Sequence, residues 1–189
     1  MDPDLPLMEA LQGGDEAALN ALIERHREPL FRFVFRYLRN ETSAREVVQE
    51  TFVRLYFKAG RFEPRSLVKT WIYAIALNLT RDEQRKLFKR DRLVSTDALP
   101  APDHRPIEVT DPGPRPDDDA GRRDRFTLLA QAIEKLPHKL KTALILFSLE
   151  GKSQREVAEI LGTTAKTVEL RVAHARQKLR ELLGDTLRR

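Results

Sequence analysis

The side chains with the clearest chemical potential share one face of a helix predicted near the C-terminus. That face is polar and largely basic, and its members are Lys166, Thr167, Glu169, Arg171, His174 and Arg176. Arginine pairs with guanine, lysine and threonine reach bases or phosphates, and a glutamate can accept from a cytosine amine. The pattern predicts contact with DNA. The alternative is a helix that only packs against its neighbour.

The residues around this face predict the helix pair that would position it, within SQREVAEILGTTAKTVELRVAHARQK. Ser153 and Glu156 have the spacing of a capping box. Gly162 follows where the chain must turn, and Thr163 or Thr164 can cap the next helix. The inward positions are small or β-branched, apart from one leucine: Val157, Ala158, Leu161, Val168, Val172 and Ala175. This is the layout of a helix-turn-helix, whose second helix enters the major groove.

The composition limits the classes of function. Among 189 residues, 41% are hydrophobic and 33% charged, and the formal net charge is +5. The positive sign suits a polyanionic partner such as nucleic acid. The chain has no cysteine, which excludes disulfides and thiolate metal sites and permits a cytoplasmic location. No signal peptide or membrane-length apolar run is visible, so no membrane insertion is expected.

The sequence predicts an all-α protein with two small helical domains and a flexible linker. The predicted ranges are 1–94 for the first domain, 95–121 for the linker and 122–189 for the second domain. The linker holds six of the chain's eleven prolines and many acidic residues. Proline at this density prevents helices and central strands, and the polarity leaves little apolar surface to bury.

Local signals divide the first domain into helices. Asp15 is placed to cap a long helix that ends near Leu38 and contains Pro29, which should bend it. Ser43 can cap the next helix, and Ser66 or Leu67 opens the last one. The end of that last helix is basic: Arg81, Arg85, Lys86, Lys89, Arg90 and Arg92. Six cations are more than the helix dipole alone requires, so this run predicts phosphate contacts.

Longer stretches resemble a known family. TSAREVVQETFVRLY and TWIYAIALNLTRDEQRK are similar to domain two of extracytoplasmic-function sigma factors. AIEKLPHKLKTALILFSLEGKSQREVAEILGTTAKTVELRVAHARQKLREL resembles their domain four, in the same order and on the far side of a linker. The resemblance implies an alternative sigma factor that joins core RNA polymerase and directs it to particular promoters.

The resemblance also implies roles for residues of the first domain. Glu46, Gln49 and Glu50 would bind the beta-prime clamp helices of core RNA polymerase, while domain four would contact the beta flap. The minus-ten element would be bound by Phe62, Trp71, Asn78, Arg81, Arg85 and Lys86. Melting DNA costs unstacking energy, which aromatic shelves offset. By residue type Trp71 suits the core, and Phe62, in a loop, is the better shelf candidate.

The helix-turn-helix face described above would read the minus-thirty-five element of promoter DNA. Here the chain departs from the family pattern. Glu169 and Leu170 stand where relatives commonly have a basic residue and a serine, and His174 stands where arginine is common. The resemblance further implies an anti-sigma factor as partner. It suggests that the acidic linker mimics a polyanion along a basic path in polymerase, so neutralising 117–119 should weaken holoenzyme formation or early initiation.

Two other readings remain open on the residues alone. A stand-alone helix-turn-helix regulator would bind duplex DNA without polymerase, and a protein-interaction module would bind other proteins only. An enzyme is not expected, and neither is a cofactor or a metal. The four histidines lack the spacing of zinc ligands, and no glycine-rich phosphate loop appears: His26, His104, His138 and His174.

Overall fold

The computed structural model describes residues 2–94 and 119–186, and all regular structure in those ranges is helical. The first group comprises α1 (Leu5–Gln12), α2 (Glu16–Leu38), α3 (Glu41–Lys58), a 3-10 turn (Ala59–Arg61) and α4 (Val68–Val94). The second comprises α5 (Asp119–Glu134), α6 (His138–Leu144), a π-helical turn (Ile145–Leu149), α7 (Gln154–Leu161) and α8 (Ala165–Thr186). The predicted all-α, two-domain fold is confirmed.

Most of the predicted linker lies outside the described residues, including Asp117 and Asp118. Helix α5 begins at Asp119, within the last three residues of the predicted linker range. The boundaries of the linker and of the two domains stay predictions.

The first domain is built on α2, α3 and α4, with α1 packed against α2. Large side chains from the three long helices fill its centre, and Phe33, Leu55 and Ile72 are completely buried. The predicted cap at Asp15 is confirmed, because its carboxylate accepts from the Ala17 amide at 2.9 Å. Helix α2 runs through Pro29 as a single element.

The predicted cap at Ser43 is wrong. The cap of α3 is Asn40, whose side-chain oxygen accepts from the Ser43 amide at 2.8 Å. Ser43 is buried within the first turn of the helix, and its hydroxyl donates to Glu83 of α4 at 3.1 Å. Starting the helix at Glu41 also places an acid in its first turn, where the helix dipole favours negative charge.

The second domain packs α5, α6 and α8 around a small apolar core. Ile133 at the end of α5 and Leu136 just beyond it meet Leu144 of α6, together with Ala175 and Leu179 of α8. Helix α7 lies against the first half of α8. This arrangement holds the α7–α8 pair on one side of the domain.

Candidate DNA and polymerase interfaces

The turn between α7 and α8 is fixed by local hydrogen bonds. The capping box is present: Ser153 Oγ accepts from the Glu156 amide at 3.2 Å, and Glu156 Oε2 accepts from the Ser153 amide at 2.9 Å. Gly162 has φ 60°, the left-handed conformation that glycine adopts without strain. Thr164 Oγ1 accepts from the Thr167 amide at 3.2 Å, so Thr164 rather than Thr163 caps α8. The predicted helix-turn-helix therefore forms.

The face of α8 predicted to contact DNA is mostly solvent-exposed. Lys166, Glu169, His174 and Arg176 are exposed, and Thr167 and Arg171 are half-buried. Lys166 Nζ lies 3.1 Å from Glu169 Oε2, so the two side chains form an exposed ion pair. The α8 inward positions named in the sequence analysis, Val168, Val172 and Ala175, are buried.

Sequence reasoning gave no role to the residue at the centre of this outward face. Leu170 is 57% exposed and lies on the side of α8 opposite buried Val168 and Val172. Arg176, by contrast, turns toward the π-helical turn, where its guanidinium carbon is 6.0 Å from the Phe147 ring centroid. If α8 contacts DNA, an exposed leucine there would suit apolar contact with a thymine methyl group.

Helix α4 brings three of the predicted minus-ten residues onto one face, since Trp71, Asn78 and Arg85 follow helical spacing. Asp82 lies on the same face. Asn78 and Arg85 are exposed, and Trp71 is half-buried. The Arg85 guanidinium is held by Asp82 at 2.6 Å. The predicted surface is thus a polar strip with an aromatic ring at its start.

The remaining minus-ten candidates lie off this strip. Lys86 is exposed on its flank and 3.4 Å from Glu83. Arg81 is half-buried and donates from Nε to His138 Nε2 at 3.2 Å, toward the second domain. Phe62 is only 6% exposed because its ring packs on Trp71, with 5.3 Å between centroids. Of the two aromatics, Trp71 is the more accessible, contrary to the sequence expectation.

The outer side of α3 carries the predicted polymerase contacts. Glu46 and Gln49 are exposed, and Glu50 is half-buried with its carboxylate 2.8 Å from Arg54. Beside them the structure shows an apolar groove of about 900 Å³ between α2 and α3, which sequence reasoning missed. Its exposed apolar members on α3 are Val53, Tyr56 and Phe57. These three residues share a side of α3 with Gln49 and face away from the core positions of that helix. This helical spacing was the sequence signal that could have revealed the groove.

Comparison with known proteins agrees with this geometry. The family Sigma-70 region 2 matches residues 22–90, and Sigma-70, region 4 matches residues 126–179. The chain is 32% identical to RNA polymerase sigma factor NccH of Alcaligenes xylosoxydans xylosoxydans, covering 92% of this chain and 90% of that one. It is 31% identical to the ECF RNA polymerase sigma-E factor of Haemophilus influenzae, with 93% of each chain covered.

The chain belongs to the extracytoplasmic-function sigma-70 family. Among solved structures, CnrH in complex with the cytosolic domain of CnrY matches with a TM-score of 0.71 at 27% identity, covering 97% of this chain and 99% of that one. The sigma factor RpoE, from a complex with the anti-sigma factor NepR of Bartonella quintana, shares the fold at 22% identity and a TM-score of 0.64, covering 87% and 96% of the two chains. The chain is an alternative sigma factor rather than a stand-alone regulator.

In this sigma factor the two domains lie against each other. Lys141 of α6 is 2% exposed, and its Nζ donates to the Tyr37 carbonyl oxygen of α2 at 2.8 Å and to Glu134 at 2.8 Å. The Tyr37 hydroxyl is 3.2 Å from Thr142 Oγ1. Nearby, Arg36 donates to the Leu149 carbonyl oxygen at 2.9 Å. The second domain therefore covers the C-terminal end of α2.

Charged contacts extend this interface along α4. Lys152 Nζ lies 3.5 Å above the Tyr73 ring, and Lys69 Nζ is 2.6 Å from Glu156 Oε1. Burial raises the pKa of the Glu156 carboxyl, but hydrogen bonds from Lys69 and Ser153 outweigh it and hold the pKa at about 2. One carboxylate thus caps α7 and ties it to the first domain.

His138 and Lys141 are both less basic than usual at this contact. Burial lowers the pKa of His138, and the neighbouring Arg81 and Lys141 lower it further. Burial also lowers the pKa of Lys141, although Glu134 partly opposes the change. A neutral His138 is consistent with the hydrogen bond that its Nε2 accepts from Arg81.

No helix within the described residues has the length and apolarity needed to span a bilayer. No cluster of three or more histidine, aspartate or glutamate side chains in the same ranges could hold a metal ion.

Proposed function

We propose that the α2–α3 groove is the main site through which this sigma factor binds core RNA polymerase. Val53, Tyr56 and Phe57 expose apolar surface next to polar Gln49, a combination that suits a helical partner. The residues expected from the family resemblance, Glu46, Gln49 and Glu50, would surround the apolar contact and orient the beta-prime clamp helices by charge. The second domain would contact the beta flap.

The outer strip of α4 is the proposed minus-ten surface. This assignment is supported by three groups that share one face of the helix. They are the aromatic ring of Trp71, the amide of Asn78 and the guanidinium of Arg85. The ring offers a stacking platform and the polar groups can pair with an unstacked base. Phe62 would support the Trp71 ring from beneath, and Lys86 would contact the phosphate backbone.

The outward face of α8 is the proposed minus-thirty-five surface. Lys166, Thr167 and His174 surround Leu170 at its centre, while Arg171 and Arg176 lie on its flanks and suit phosphate contacts. The observation that carries the whole proposal is that three separate outward surfaces coexist on one chain. A lone regulator needs only the last of them.

Core polymerase binding tests the groove directly. Phe57, 78% exposed, would become buried against polymerase, so Phe57→Asp should weaken binding at least tenfold. Phe88→Asp is the matched control, because it adds the same charge at an exposed phenylalanine of α4 outside the groove. Fluorescence titration without DNA measures the affinity. Unchanged affinity for the Phe57 variant would remove the groove from the interface.

Run-off transcription with core polymerase tests the promoter surfaces. We expect Asn78→Ala and Lys166→Ala to reduce specific transcripts while leaving polymerase affinity intact. We further propose that the chain acts in the cytoplasm, has no enzymatic activity of its own and is restrained by an anti-sigma factor. Pull-down of a partner that blocks polymerase binding would test the last point.

A further inference from the structure

The first residues of the chain hold the loop between α3 and α4 at both ends. Gln12, the last residue of α1, donates from Nε2 to the carbonyl oxygens of Ala59 and Phe62, each at 3.0 Å. At the other end, Asp2 Oδ2 accepts from the Val68 amide, the first of α4, at 2.6 Å. These contacts join residues 47, 50 and 66 positions apart in the sequence.

Helix α1 is itself firmly attached, so it can act as a fixed support. Met8 and Leu11 are buried against the domain core. Asp4 is 2% exposed and ion-pairs with Arg25 and with His26 Nε2, the latter at 2.8 Å. The Asp4 amide donates to Asp2 Oδ1 at 3.0 Å, which orients the Asp2 side chain toward α4.

The supported loop lies next to the proposed minus-ten surface. Between the two anchored ends, residues 63–65 are exposed. The anchored residue Phe62 packs under Trp71, the first residue of the polar strip. Any displacement of the Phe62 backbone would therefore move the Trp71 ring and the start of α4.

We propose that Asp2 and Gln12 are positioning residues for recognition of the unstacked minus-ten strand. They hold the 59–68 segment and the N-terminus of α4 in place before DNA arrives, which reduces the ordering cost of binding. The inference rests on the proposed minus-ten surface. The match to Sigma-70 region 2 begins only at residue 22, so Asp2 and Gln12 lie outside the matched part of the domain.

The test is binding of a single-stranded minus-ten oligonucleotide by the complete holoenzyme, with a fluorescent reporter on the DNA. Gln12→Ala should weaken binding about tenfold, because two hydrogen bonds that hold the loop are lost. Glu9→Ala, on an exposed position of α1, is the control and should bind like the wild type. Core polymerase affinity, measured separately, should be the same for all three proteins.

Asp2 gives a test in which two explanations predict opposite signs. Removing a negative charge near DNA would by electrostatics alone strengthen binding. If Asp2 positions the start of α4, Asp2→Ala should weaken DNA binding several-fold. Asp2→Asn keeps an acceptor for the Val68 amide, so its affinity should lie between those of Asp2→Ala and the wild type. Stronger or unchanged binding by Asp2→Ala, or wild-type binding by Gln12→Ala, would overturn the proposal. Asn78→Ala serves as a reference: if it too binds normally, the minus-ten surface itself is misplaced.

Discussion

Replacing Lys141 with methionine should release the second domain from the first. Tyr37 is in the last turn of α2, where carbonyl oxygens have no amide partner within the helix. The Lys141 ammonium, from the other domain, donates a hydrogen bond to the Tyr37 carbonyl oxygen. As a cation it is also favoured at the negative end of the helix dipole. Methionine keeps most of the aliphatic stem but donates nothing, so the carbonyl stays buried without a partner.

The contacts give the size of the effect. A buried carbonyl left unsatisfied costs about 1–3 kcal/mol. The Glu134 pair adds little, because that carboxylate is 40% exposed and water can replace the lysine. Since 1–3 kcal/mol corresponds to roughly 5–150-fold, the ratio of docked to separated domains should fall by that factor. Promoter elements about 25 base pairs apart are separated by about 85 Å, so we expect separation to precede promoter binding.

Pulsed electron paramagnetic resonance on a doubly spin-labelled protein measures the separation. The chain has no cysteine, so Lys58→Cys and Lys178→Cys, both at exposed positions, introduce unique labels in the two domains. Wild-type protein should give one short, narrow distance distribution. The Lys141→Met variant should add a longer and broader one.

Lys139→Met is the matched control, since Lys139 is exposed on the same helix and makes no contact with α2 that the structure shows. Its distance distribution should equal that of the wild type. Identical distributions for the Lys141 and Lys139 variants would refute the reasoning, as would a wild-type protein whose domains are already apart.

Two further predictions concern the DNA face and the pH dependence of docking. Wild-type holoenzyme should bind a minus-thirty-five element roughly fourfold more weakly when the thymine that contacts Leu170 is replaced by uracil, because one buried methyl group contributes about 0.8 kcal/mol. Leu170→Ser should abolish that difference in affinity. If the difference persists in the variant, Leu170 does not contact the methyl group. His138 has a pKa below its usual value of 6.5 in the docked state. Docking should therefore be strongest above pH 6.5 and weaken as the pH falls and the imidazole takes up a proton. Label distances at pH 7 and pH 5.5 should therefore differ in the wild type and not in His138→Gln, and pH-independent distances in the wild type would contradict this.

The helix-turn-helix was predictable because its signals are local. Ser153 and Glu156 are three residues apart, Gly162 terminates a helix by its own conformational freedom, and Thr164 caps the next helix within one turn. The apolar positions around them follow helical spacing. Each signal fits within a few residues, so no knowledge of the rest of the fold was needed.

Orientation relative to distant elements was the weak point. Phe62 was expected to be the better shelf candidate because it lies in a loop, yet its ring packs against Trp71 and is buried. Val53 and Phe57 form the exposed wall of a groove because α2 leaves that side of α3 open. Helical spacing shows that residues share a face; which face the neighbouring helices cover depends on contacts between distant parts of the chain.

Two helix ends are likewise capped by side chains that are distant in the sequence, and one of these caps joins the two domains. The Val68 amide is satisfied by Asp2, and the Tyr37 carbonyl is satisfied by Lys141. Neither partner lies within one turn of the helix end, where sequence patterns look for caps. Because every buried helix end needs a partner, an end without a local cap predicts that some distant polar side chain supplies it. The sequence can therefore show that a helix end lacks a local cap, but only the fold identifies the residue that supplies one.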